Sequence, residues 1–343
     1  MKIEYPLNFI RANDLNETSL YVKGFLEDLK FVLIVGKTHS KDIANKILKY
    51  VDLKPYRILE IDLEDHENIA TISEELKIND IDIVLSVGGG VAIDYAKRLA
   101  LLVNKRFIAV PTIVSNDGMA SPISVLKIGG KKVSLPGKLP DTIIVPIDVL
   151  KEAPLKYIKS ALLDTLSNLS AVNDWRYADE GLYQNQSSSM AVNLSNMAAS
   201  MVLNIKNLEL ADNRILECAL DVQLLSGMAM TICGSSRPCS GSEHIISHAL
   251  DNKEMKVEIL HGEKVGTISE FCLFIQDSPQ PAATKLLRKL NIKKGIPGIK
   301  DLSKEKTVEF FSLAKRLRPE RKTILEKYSA ESLYELHCEF IKS

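Results

Sequence analysis

The sequence predicts two units of different class: an α/β domain over residues 1–152 and an all-α domain over residues 153–343. Two observations predict this. Short apolar runs alternate with amphipathic segments up to residue 150, and after Pro154 long stretches rich in Ala, Leu, Met and Ser replace them. The chain is also 343 residues long, which suits about two domains better than one core.

The elements follow in order. Phe31–Val35 (FVLIV) reads as a buried strand ending at Gly36, and Asp42–Val51 as a helix. Tyr56–Ile61 is a second strand, Ile69–Leu76 a helix and Ile83–Val87 a third strand. Val91–Val103 has helical periodicity, and Phe107–Val110 is a strand stopped by Pro111. Continuous apolar strands separated by helices predict a parallel sheet covered on both faces. In the second half, 157–177, 187–205, 213–231 and 306–317 read as helices.

Lys+Arg and Asp+Glu are both 44, so the formal net charge is zero. That argues against a nucleic-acid binder, which usually carries a basic surplus. Five cysteines without a CxxC pair argue against a disulfide framework and fit a reducing cytoplasm. The start, MKIEYPLNFI, shows no signal peptide. No apolar run reaches the roughly 18 residues of a membrane span.

Two loops leave predicted strands. Ser86 to Asp94 (SVGGGVAID) joins strand to helix. Gly88, Gly89 and Gly90 let a bulky ligand approach the backbone, and the N–H groups of Val91 and Ala92 open a helix that favours an anion. The loop matches neither GxGxxG nor GxxxxGK[ST], and the plainer alternative is a tight turn. Asp94 and Lys97 follow in the first turns. The second loop, PTIVSNDGMASP, leaves the carboxyl end of its strand, where open α/β sheets place ligands. Thr112, Ser115 and Ser121 can bond a cofactor, and Asp117 can bind a hydroxyl or move a proton. Equally, Asn116 and Asp117 can cap their own turn.

Arg237 to Lys264 holds three of the six histidines. His244 and His248 are four apart and share a helix face; His261 opens HGEKVG. Asp164 lies in an apolar helical stretch, where a carboxylate needs a reason. Asp164 and two imidazoles would hold a divalent metal with one position open; spacing alone does not choose between His244 and His248. Zinc comes first, with iron and nickel open.

GGGVAIDYAK, PTIVSNDGMASP, DTLSNLSAVNDW, RPCSGSEHIISHAL and HGEKVG, in this order, resemble the glycerol-1-phosphate dehydrogenases. These belong to the iron-containing alcohol dehydrogenase and dehydroquinate synthase superfamily, and the resemblance covers about residues 30–270. It implies a Rossmann-like N-terminal domain, a helical C-terminal domain and a site in the cleft between them. It implies NAD or NADP on Gly88, Gly89, Gly90, Val91, Ala92 and Asp94, with Thr112, Ser115 and Ser121 adding contacts. It assigns the metal to Asp164, His244 and His261, and substrate to Asp117 and His248. The implied reaction reduces dihydroxyacetone phosphate to sn-glycerol 1-phosphate. One departure stands out: Leu162 and Leu163 precede Asp164, where the family has a small, glycine-containing segment, and their bulk is expected to narrow the pocket or shift the carboxylate.

A glycerol or other polyol dehydrogenase is the nearest alternative, with Lys127, Lys131, Lys132 and Lys138 the cations to place. A cyclising sugar-phosphate enzyme and a non-enzymatic homologue are further ones. The expected partner is a small molecule, with neither nucleic acid nor membrane, and the expected assembly a homo-oligomer. An acid after the second strand, Asp62 or Glu64, would bear on NAD against NADP.

Overall fold

The computed structural model describes residues 8–62, 66–178, 186–206, 208–252 and 258–343. The chain divides into two compact units, Met1–Tyr157 and Ile158–Ser343, so the division falls a few residues after the expected Glu152.

In the first unit the described elements are β1 (Asn8–Ala12), α1 (Leu15–Leu26), β2 (Phe31–Gly36), α2 (His39–Val51), β3 (Arg57–Ile61), α3 (Ile69–Ile78), β4 (Ile83–Gly88), α4 (Gly90–Val103), β5 (Arg106–Pro111), β6 (Ile123–Ile128), β7 (Lys131–Pro136), β8 (Thr142–Pro146) and α5 (Ile147–Glu152). Six strands form a parallel sheet in the order β1-β8-β5-β4-β2-β3. Phe31, Leu33 and Val35 pack with Val22, Leu26, Ile43 and Ile47 of α1 and α2. Val32 and Ile34, on the opposite face, are equally buried. A strand covered on both faces has no place for alternation, which is why FVLIV is continuously apolar. Each such side chain contributes about 1.5–3 kcal/mol.

β1, β8 and the antiparallel β6–β7 hairpin were not among the expected strands. The hairpin turns at Gly129 and Gly130, which have φ of 59° and 74°. That left-handed backbone favours glycine in a two-residue turn.

The α-helices of the second unit are α6 (Lys156–Leu166, its first turn belonging to the first unit), α7 (Asn168–Ala178), α8 (Gln186–Leu203), α9 (Asn213–Cys233), α10 (Ser242–Asn252), α11 (His261–Ile275), α12 (Pro281–Lys289), α13 (Lys304–Leu317) and α14 (Ala330–Lys342), and no strand occurs among its described residues. The helix expected over 157–177 is two helices. It breaks at Ser167, whose Oγ donates to the Asp164 carbonyl at 2.7 Å, a local bond that competes with the helical ladder. Ile245, Ile246 and Leu250 of α10 pack with Ile268 and Phe271 of α11, Phe310 and Phe311 of α13 and Phe340 of α14. Among the described residues one helix, α9, is long and apolar enough to cross a membrane. Most of it is buried within the protein, Gln223 included, as in a core helix.

Candidate functional site

In the first unit, the ends of three neighbouring strands build one edge. β2 pairs with β3 and β4, while β4 leads through α4 to β5 on its other side. The chain therefore changes winding direction between β2 and β4, the point where open sheets leave a crevice beyond their carboxyl ends. Gly36 closes β2 there, and Gly88, Gly89 and Gly90 lead from β4 into α4. A Cβ on Gly88 would lie 2.8 Å from the Ala92 Cβ, and one on Gly89 would lie 2.9 Å from the Ile113 side chain. A Cβ on Gly90 would meet nothing within 4 Å. Gly88 is thus required by packing, whereas Gly90 fronts open space at a helix start whose first N–H groups lack intrahelical partners; Val91 and Ala92 continue that turn.

The expected cofactor hydroxyls have internal engagements. Thr112 Oγ1 lies 3.4 Å from Ser40 Oγ, and its N–H donates to the Gly88 carbonyl at 3.0 Å. Ser121 is buried, with its Oγ 3.4 Å from the Lys97 ammonium. Ser115 is partly exposed. Asp94 faces inward: Lys97 Nζ stands 2.6 Å from its Oδ1 and also donates to the Gly118 carbonyl at 2.7 Å and to that of Ile123. Asp94 and Lys97 therefore fasten α4 to the loop that carries Asp117. Burial, opposed by Lys97 and reinforced by the charge of Asp94, pushes Asp117 up to about 6. Such a carboxyl can bind or exchange a proton near neutrality.

Asp62 is ion-paired with Lys37, and Glu64 lies outside the described residues. Lys127, Lys131 and Lys132 belong to the hairpin, and Lys138 donates to the Lys105 carbonyl at 2.7 Å.

In the second unit, ligand atoms of Asp164, His244 and His261 all lie within 4.8 Å of one another. His244 Nε2 is 3.3 Å from His261 Nε2, which is 3.7 Å from Asp164 Oδ1. Two nitrogens bound to one tetrahedral zinc at 2.0–2.1 Å would stand about 3.3 Å apart, so the donor set fits a metal. Asp164 is buried, while the His261 side chain is 38% exposed. Burial first, then the charges of Arg321 and Arg318, hold His244 down to about 3. It is therefore neutral at physiological pH, as a ligand must be. His248 is one turn further along α10 and does not join the three.

Glycines on α11 bring these residues together. A Cβ on Gly262 would lie 2.0 Å from the Ser160 carbonyl and 2.8 Å from the Asp164 Cβ. One on Gly266 would lie 2.6 Å from the Leu163 carbonyl. The helices α6 and α11 touch backbone to backbone, and Lys159 pairs with Glu263 at 3.2 Å beside the contact. Leu162 and Leu163 are fully buried. Their bulk leaves Asp164 beside both imidazoles, because the small residues stand on the facing helix.

Sequence reasoning missed one acid and two arginines. Glu243, fully buried beside His244, lies 2.8 Å from its Nδ1; an acid directly before a ligand candidate was the available signal. Arg321 donates to the Ser240 carbonyl at 2.7 Å and to Ser236 Oγ at 2.8 Å, across the segment leading into α10. Arg318 is half-buried, and among the described residues its guanidinium has no hydrogen-bond or ion-pair partner. Burial, then Arg318 and Arg237, push Arg321 down to about 10, so three guanidiniums share one field.

A sheet with its switch point at a glycine loop and a helical unit with an Asp–His–His cluster define a metal-dependent dehydrogenase class. The family model for iron-containing alcohol dehydrogenases matches residues 10–154. Similar folds include a probable glycerol dehydrogenase from Sinorhizobium meliloti (TM-score 0.78, 17% identity, 99% of this chain and 98% of that one). Another is the sulfoacetaldehyde reductase from Bifidobacterium kashiwanohense in complex with NAD+ (TM-score 0.75, 16% identity, 100% and 99%). Glycerol-1-phosphate dehydrogenase [NAD(P)+] from Thermoplasma volcanium is 33% identical over 298 residues, 86% of this chain and 84% of its own length. The Thermococcus sibiricus enzyme of the same name is 31% identical over 331 residues, 95% and 93%. The chain belongs to the glycerol-1-phosphate dehydrogenase family, whose members are NAD(P)-linked oxidoreductases.

Proposed function

We propose that the chain reduces dihydroxyacetone phosphate to sn-glycerol 1-phosphate with NADH or NADPH, using one divalent metal. The observation that carries this is the convergence of Asp164, His244 and His261 in a chain of this family. Zinc suits two imidazoles and a carboxylate with one position open, although iron or nickel would accept the same donors. Bound there, the metal supplies a Lewis acid for a carbonyl oxygen. NAD(P)H supplies the hydride.

The chain's own residues do the rest. Asp164, His244 and His261 hold the cation. Gly88, Gly89, Gly90, Val91 and Ala92 receive the pyrophosphate of the cofactor at the start of α4. Thr112, Ser115 and Ser121 shape the loop beside it, and Asp94 fixes that loop through Lys97. Asp117 binds a substrate hydroxyl, and His248 relays the proton that completes the alcohol. The free cysteines suit a reducing cytoplasm, where the enzyme works as a homo-oligomer.

The arginines favour a phosphorylated substrate over a neutral polyol. Arg318 and Arg321 place two guanidiniums within electrostatic reach of His244, and a phosphate dianion is the natural partner for such a pair. The polyol reading draws on the fold shared with the probable glycerol dehydrogenase, but it leaves Arg318 without a task.

Initial rates with dihydroxyacetone and its phosphate, each with NADH and NADPH, test the proposal. Two charge-assisted contacts of about 1.5–3 kcal/mol each predict a kcat/KM advantage of at least ~100-fold for the phosphate. Arg318→Ala should cut that advantage about tenfold and leave the rate with free dihydroxyacetone unchanged. Equal kcat/KM for the two ketones would favour the polyol dehydrogenase.

A further inference from the structure

Glu243 is fully buried, and each of its oxygens is engaged. Oε1 accepts the Gly241 N–H at 2.6 Å and lies 2.8 Å from His244 Nδ1. Oε2 accepts the Ser170 hydroxyl of α7 at 2.6 Å. The carboxylate is thus held from two sides and turned toward one edge of the imidazole. The opposite edge, Nε2, faces His261. An ionised Glu243 accepts and does not donate, so beside it the Nδ1 of His244 would carry the hydrogen and Nε2 would keep its lone pair.

The surrounding segment, Ser240-Gly241-Ser242-Glu243-His244, is built to make this contact. A Cβ on Gly241 would lie 2.9 Å from the Ala171 Cα and 2.5 Å from an Asp174 oxygen. Only glycine lets the chain pass so close to α7. Asp174 accepts N–H groups from Ser242 at 2.5 Å and Ile324 at 2.8 Å, and the Gln276 amide at 2.9 Å. It fastens the start of α10. For the fold alone a second buried acid next to Asp174 is a poor choice, because like charges in the interior destabilise it.

We propose that Glu243 is a positioning residue: it fixes the tautomer of His244 and aims Nε2 at a divalent cation shared with Asp164 and His261. This rests on the metal reading above. Outer carboxylates of this kind typically change metal affinity by about 10–100-fold when removed.

The test uses full-length, metal-loaded protein competed against graded chelator, with bound metal measured directly. Glu243→Gln should lose its metal at about 10–100-fold lower chelator than the parent, while the chelated forms of both melt at similar temperatures. With cobalt in place of the native ion, the visible absorption spectrum should also shift, which a purely structural residue would not cause. Ser170→Ala frees Oε2 without touching the imidazole and should give a smaller change, about threefold; it serves as the second variant if Glu243→Gln does not fold. A parent-like chelator midpoint and cobalt spectrum in a folded variant would overturn the positioning role. Absence of metal from the parent itself would overturn the metal reading with it.

Discussion

Gly90 is the residue whose substitution separates ligand from fold. Its missing side chain borders open space, while Gly88 and Gly89 are hemmed in by Ala92 and Ile113. A side chain at Gly90 therefore displaces no protein atom and removes a residue that weakens helices by about 1 kcal/mol. Gly90→Val should melt within a few degrees of the parent yet bind NAD(P) at least ~10-fold more weakly, because the added methyls would stand where the proposed site receives the cofactor's phosphates. Fluorescence titration with NADH checks this. Unchanged affinity would place the cofactor elsewhere. Gly88→Val would not discriminate, because it disturbs the turn itself.

Between elements, the decisive contact is α6 against α11. A methyl at Gly262 would sit 2.0 Å from a backbone oxygen, Ser160 O, and no side-chain rotation can relieve that. Helix propensity alone would make Gly262→Ala stabilising by about 1 kcal/mol. The contact reverses the sign: the variant should lose about 1–3 kcal/mol and much of its metal, since His261 is the adjacent residue. Chemical denaturation and elemental analysis check the two parts. A more stable, metal-replete variant would show that the close approach is not needed. This contact explains why HGEKVG carries two glycines four apart, which the sequence alone left without a reason. It also explains why Leu162 and Leu163 leave Asp164 beside both imidazoles.

For the molecule as a whole, β2, β4 and β5 were legible because strands covered on both faces are continuously apolar. The edge strand β1 (NFIRA) was not, being short and mixed in character. The hairpin was missed although Gly129-Gly130 between two short runs is a turn signal. β8 (TIIVP) runs straight into α5 without a polar break and so gave no separate signal. Asp164, the His244/His248 pair and His261 were legible as candidates because an acid in an apolar helix and spaced imidazoles both demand explanation; the choice of His244 over His248 came from the family resemblance, since the spacing does not make it. Glu243, Arg318 and Arg321 were hidden, since only folding brings α7, α10 and the segment after α13 around one imidazole.

The central claim is that one carboxylate and two imidazoles hold a cation that the reaction requires. The most direct measurement is elemental analysis of the purified chain alongside its rate of dihydroxyacetone phosphate reduction, before chelation, after it and after metal is restored. The account predicts about one divalent ion per chain, a rate that falls by about 10³-fold on its removal and recovers on its return, and neither ion nor rate in His261→Ala. A metal-free chain that turns over at the full rate would contradict it.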